Sequence, residues 1–102
     1  MKQATLNRIV RMEFLPEHVI DFENLFAQVK EQIRHFPGCL SLQVWTDPES
    51  PNVYFTFSRW ESPSDLEAYR HSELFKETWA QTKRWFCAKP QAFSALDRYV
   101  ID

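Results

Sequence analysis

The hydrophobic period of this chain switches along its length, and the order of the switches admits few folds. From Leu6 to Phe14 the side chains alternate, with Val10, Met12 and Phe14 on one face and Asn7, Ile9, Arg11 and Glu13 on the other, the period of a half-buried strand. From Glu17 to His35 the apolar positions Val19, Phe22, Phe26, Val29 and Ile33 recur at spacings of three and four, which places them on one stripe of a long helix. Pro16 precedes that segment, and Phe36-Pro37-Gly38 ends it, with the glycine suited to the left-handed position beyond a helix C-terminus. Alternation returns at Leu40, Leu42 and Val44, stops at the turn-rich run from Thr46 to Asn52, and resumes from Val53 to Trp60. Two strands joined as a hairpin are therefore expected. In the second of them Tyr54, Thr56, Ser58 and Trp60 share one face, and Val53, Phe55 and Phe57 the other.

Ser62-Pro63-Ser64-Asp65 combines an N-cap hydroxyl, a proline for the first helical position and an acid three residues after the cap. Ser72 offers a second cap, after which Phe75, Trp79, Thr82 and Phe86 repeat with helical spacing, so the helical segment resumes or bends near His71-Ser72 and runs to about Phe86. Lys89-Pro90 closes it, and residues 91–100 form a last, less regular strand. The resulting order, β-α-β-β-α-α-β, predicts an α+β fold, a ferredoxin-like sandwich with an antiparallel four-stranded sheet. With 102 residues there is room for a single domain, 1–102, and no second core.

Composition removes several function classes. The chain has one glycine, so neither the dinucleotide fingerprint nor the P-loop is present, since each needs several positions of bare backbone against phosphate. Lys and Arg number 12 against 14 Asp and Glu, a net charge of -2 that offers no general attraction to nucleic acid or to an anionic membrane. The first residues lack the apolar run of a signal peptide, and no window approaches a membrane span. A cytoplasmic protein with no nucleic-acid or membrane partner is expected. Cys39 and Cys87 lack CxxC spacing, and His18, His35 and His71 lack HxH or HExxH spacing, so two free thiols and no metal are expected.

Aromatic residues reach 16 %. Val10, Met12, Phe14, Val53, Phe55 and Phe57 together suggest an apolar sheet face larger than a monomer leaves in water. Its simplest cover is the same face of a second copy, which makes a homodimer in which two sheets form one barrel.

Three segments carry a resemblance: Phe36-Pro37-Gly38-Cys39-Leu40, the strand end Phe57-Ser58-Arg59-Trp60-Glu61-Ser62, and the run from Leu66 to Phe75. They resemble the antibiotic biosynthesis monooxygenase family over about residues 6–97. The resemblance implies a dimeric α/β barrel with a pocket between sheet and helices. It also implies one of several activities, since the family holds cofactor-free oxygenases of quinols and polyphenols, haem-degrading oxygenases and some non-oxygenases. Haem-degrading members use an asparagine on the first strand, a tryptophan at the end of the third and a histidine ligand on the following helix. Asn7 and Trp60 match the first two, but the histidine position, four residues beyond Phe75, holds Trp79. An indole has no lone pair for iron. Leu74 stands where many other members carry a histidine before the motif phenylalanine.

The candidate catalytic residues are Asn7, Trp60 and His71. Asn7 either satisfies neighbouring backbone or orients a carbonyl or bound oxygen, and Trp60 either fills core or walls a pocket and donates its indole N–H. His71 is either an exposed residue at a helix break or a general base. Tyr54, Ser58, Tyr69, Phe75 and Trp79 are the candidate substrate contacts, the last three doubling as helix core. Arg8, Arg11 and Arg59 suit either an anionic substrate group or ordinary salt bridges. The expected activity is a cofactor-independent monooxygenase that takes a small aromatic molecule with a hydroxyl group, of quinol or polyphenol type, and dioxygen. The alternatives are a non-catalytic dimeric ligand-binding module and a haem-binding or haem-degrading protein.

Overall fold

Strand β1, Leu6–Glu13, lies at the centre of the sheet because both of its edges are taken: β3, Val53–Trp60, pairs with one side and β4, Gln91–Leu96, with the other. Strand β2, Cys39–Thr46, pairs with the far edge of β3, which gives the order β2-β3-β1-β4 with every pairing antiparallel. The computed structural model describes residues 4–102. Helix α1 spans Val19–Arg34, α2 Pro63–Arg70 and α3 Glu73–Thr82, with single 3-10 turns at Pro16–His18 and Lys83–Trp85. This is the α+β ferredoxin-like arrangement that the periodicities predict. Among the described residues no helix is long and apolar enough to cross a membrane.

Local chemistry sets the boundaries. Ser62 Oγ accepts from the Asp65 backbone N–H and donates to the Asp65 carboxylate at 2.7 Å, closing the start of α2 over Pro63. Ser72 Oγ accepts from Phe75 N–H at 3.1 Å, and this second cap breaks the helical run into α2 and α3. In the β2–β3 loop, Asp47 Oδ1 accepts from Glu49 and Ser50 N–H at 2.8 and 3.2 Å, an Asx turn that reverses the chain. Gly38 has φ 88°, and a Cβ there would collide with Asp65, so both conformation and space require glycine.

The register corrects the expected apolar face. Leu6 opposes Trp60, Arg8 opposes Ser58, Val10 opposes Thr56 and Met12 opposes Tyr54. Val10, Met12 and Phe14 therefore turn toward the helices with the Tyr54–Trp60 set, whereas Val53, Phe55 and Phe57 lie on the opposite face with Ile9. The two sets belong to different surfaces because antiparallel pairing joins positions of matching parity across β1 and β3. The opposite face carries Trp45 stacked on Phe57 at 5.0 Å and an exposed Phe93. The last strand also ends earlier than expected, at Leu96, where Asp97 turns its side chain back onto Asn7 and Arg59.

The helix-facing side holds two core clusters. One contains Leu6, Cys39, Trp60 and Leu66, with Phe36 and Tyr69 against it. The other contains Met12, Phe14, Phe22 and Tyr54, with Phe26, Trp79 and Phe86 against it. Trp60 and Phe14, one in each, are wholly buried.

Candidate functional site

Between those clusters the helix-facing side of the sheet carries Arg8, Thr56 and Ser58, side chains too polar or too short to fill the space under the helices. A cavity of about 330 Å3 results, toward the lower end of the ~300–1,000 Å3 usual for small-molecule sites. Its aromatic wall is continuous. Trp60 stacks on Tyr69 at 5.1 Å, Tyr69 meets Phe75 edge-on at 5.3 Å, and Phe75 stacks on Trp79 at 5.9 Å. Leu42 and Met12 contribute from the sheet, Ile33 and Phe22 from α1, and Leu66 from α2. Phe75 and Trp79 form part of the wall without closing the space.

Of the residues expected at the site, Ser58, Trp60, Tyr69, Phe75 and Trp79 line this cavity together. Trp60 differs from expectation in one respect: its indole N–H already donates to Ser58 Oγ at 2.9 Å and is not free for a ligand. Ser58, having accepted that bond, keeps its own O–H to give. Burial pushes the Tyr69 hydroxyl up to about 12, so it holds its proton at neutral pH and acts as a donor.

Three expected residues are elsewhere. Asn7 is one position out of phase with Arg8 and lies on the opposite face of the sheet. There its amide donates to Ala95 O at 3.2 Å and Asp97 Oδ1 at 2.7 Å and accepts from Arg59 Nε at 3.1 Å. Arg59 completes the group with a 2.7 Å ion pair to Asp97, and the Asn7 hydrogen bond, with help from Arg59, lowers the Asp97 pKa below its usual value. His71 caps the end of α2, is 76 % exposed and reaches Glu67 at 3.6 Å, away from the cavity. Tyr54 shares Trp60's face but sits at the other end of β3, packed on Phe14 and Phe22 with its hydroxyl bonded to Glu23. Burial and that carboxylate push it up to about 12.

The structure also adds Arg70 and Thr78 to the wall. A helical-wheel reading reaches Arg70, since Leu66, Tyr69 and Arg70 stand at i, i+3 and i+4 on one face of α2. Arg8 carries a similar signal, a charge in the same parity as Leu6, Val10 and Met12. Among the described residues no histidine, aspartate or glutamate lines the cavity, so these residues offer neither an imidazole to a haem iron nor a side-chain base of those types. Among the described residues no cluster of three or more His, Cys, Asp or Glu groups is placed to hold a metal ion.

The family described as antibiotic biosynthesis monooxygenase matches residues 5–81 of the sequence, a stretch running from before β1 through most of α3 and including the cavity wall from Arg8 to Trp79. The chain belongs to the antibiotic biosynthesis monooxygenase family. A conserved protein of Methanosarcina mazei Go1 superposes with TM-score 0.89 at 19 % identity, over 93 % of this chain and 94 % of that one. A crystal structure described as an antibiotic biosynthesis monooxygenase gives TM-score 0.83 at 19 % identity, over 94 % and 99 %. A Mycobacterium tuberculosis protein gives 0.88 at 16 % identity, over 97 % and 100 %. At these identities the likeness is one of fold. No curated protein matches the sequence.

Proposed function

We propose that this family member binds a small aromatic hydroxyl compound in the cavity between sheet and helices and oxygenates it without metal or flavin. The observation that carries the reading is the cavity itself, an aromatic-walled slot with hydroxyl donors and two arginines at its polar side. Ionisation of the bound hydroxyl, its proton passing to solvent at the mouth of the cavity, gives an electron-rich anion that passes one electron to dioxygen. The radical pair joins at a ring carbon as a hydroperoxide, and loss of water leaves the carbonyl. For a phenol with a free ring position the balance is one substrate and one O2 to one quinone and one H2O. In this chain the protein's part is to hold the anion: Ser58, Thr56 and Tyr69 donate hydrogen bonds, and Trp60 fixes Ser58 through its indole bond. Asn7 and His71 take no part at the reacting atoms in this scheme.

A second reading, a non-catalytic ligand-binding module, is favoured by a cavity wall that, among the described residues, holds no histidine or carboxylate base. An oxygen electrode with a panel of quinols and naphthols separates the two. Uptake of one O2 per substrate, lost in Ser58→Ala, supports the oxygenase. Binding without uptake across the panel overturns it in favour of the second reading.

The homodimer belongs to the same proposal, with Ile9, Trp45, Phe55, Phe57 and Phe93 as the face that a second copy covers. Light scattering is expected to give twice the mass of one chain, and Phe57→Asp to halve it. A single-chain mass for the unmodified protein contradicts the barrel.

A further inference from the structure

Among the described residues, two of the cavity's wall residues are arginines, and none that lines it carries a negative charge. Arg8 projects from the central strand on the side where Leu6 and Met12 are buried, between Ser58 on β3 and Ser94 on β4. Its Nη1 donates to Ser94 Oγ at 2.9 Å, a neutral partner, and it makes no ion pair among the described residues. Arg70 reaches the same cavity from the last turn of α2 and pairs with Glu67 at 2.9 Å, a carboxylate that His71 also approaches. One carboxylate on the helix thus faces two guanidiniums, leaving a surplus of positive charge directed at an otherwise aromatic and hydroxyl-lined space. Burial and the Arg70 charge both lower the Arg8 pKa from its ordinary value, with Glu67 opposing them. Burial is the larger cause, and the Arg70 charge acts in the same direction.

A structural ion pair does not account for Arg8, because its bonded partner is a serine. An anion between the two guanidiniums relieves their repulsion and takes charge-assisted hydrogen bonds that a neutral group does not receive. We propose that the cavity selects aromatic compounds bearing a carboxylate, held by Arg8 and Arg70, with the ring system lying against Trp60, Tyr69 and Phe75. This inference rests on the cavity being the ligand site of the proposed function, and it narrows the substrate from aromatic hydroxyl compounds to hydroxyaryl carboxylates. Arg8 is the principal anchor, since Glu67 already shares the charge of Arg70.

Titration calorimetry of the whole chain with 6-hydroxy-2-naphthoate and 6-hydroxy-2-naphthamide, probes alike in shape and different in charge, tests it. The naphthoate is expected to bind at least ten times more tightly, an advantage that shrinks as salt is raised. Arg8→Gln is expected to remove most of that advantage while leaving naphthamide affinity within twofold, and Arg70→Gln to remove a smaller part. Circular dichroism checks that each variant is folded, and Arg70→Gln, on a half-exposed side chain, decides the matter if Arg8→Gln is not. Equal affinity for the two probes, or a preference that survives in both variants, overturns the inference and leaves the cavity reading standing. Failure of both probes to bind overturns the two together.

Discussion

The two clusters on the helix-facing side of the sheet are built from similar residues and end differently. Phe14 itself is enclosed, although Met12 and Phe22 beside it also line the cavity: its ring stacks on Phe22 at 4.6 Å, meets Tyr54 edge-on at 5.8 Å and touches Phe86 at 5.4 Å. Around Trp60 the packing is one-sided. The indole is wholly buried and stacks on Tyr69, yet beyond Tyr69 the wall of Phe75 and Trp79 looks onto open space. The difference comes from the strand positions between them. Met12 and Tyr54 meet α1 with apolar bulk, whereas Thr56 and Ser58 are short and Arg8 brings a charge instead of apolar bulk to the space under α2 and α3. Aromatic content alone therefore does not decide whether a region is core or site. The size and polarity of the opposing strand residues do.

The sharpest break of this comparison is Phe14→Ala. It removes a fully buried ring with three aromatic neighbours, and about 3–5 kcal/mol of stability is expected to be lost in denaturant unfolding. A loss under about 1 kcal/mol shows that the ring is not enclosed. Ser58→Ala comes next. It leaves the Trp60 N–H buried without its acceptor, at a cost of about 1–3 kcal/mol by the same measurement.

The smallest effect is one of pH. Tyr54 and Tyr69 are both pushed up to about 12, but burial alone dominates at Tyr69 while the Glu23 bond adds to burial at Tyr54. Because the folded values lie above the ordinary value near 10, the stability they contribute is complete below pH 10 and declines as pH rises through 12. Glu23→Gln is expected to bring down the Tyr54 titration, followed by ultraviolet absorbance, and to leave Tyr69 unmoved. Equal movement of both tyrosines removes the distinction between the two ends.

Much of this architecture is legible in the sequence because it rests on local signals. Ser62-Pro63 and Ser72 announce α2 and α3 through caps that the structure forms, and Gly38 marks the turn that only glycine adopts here. The cavity's aromatic wall is legible for the same reason, since Tyr69, Phe75 and Trp79 follow helical spacing. What escapes is anything that depends on register between distant strands. Alternation within β1 and within β3 is plain, yet it does not say that Met12 meets Tyr54 or that Asn7 meets Arg59. Placing Val10 with Phe57, or Asn7 near Trp60's pocket, is the error that follows when two strands are read separately. His71 fails for another reason: a helix-terminal histidine next to a cavity residue still points wherever its own χ angles and Glu67 take it.

The account stands on the cavity between the clusters being the ligand site, and a methyl-detected nuclear magnetic resonance titration with 2-naphthol tests that most directly. The account predicts shifts at Met12, Leu42 and Leu66, which line the cavity, with Ile9 and Val53 on the opposite face of the sheet unmoved. Shifts confined to Ile9 and Val53, or no shifts at saturating probe, contradict it.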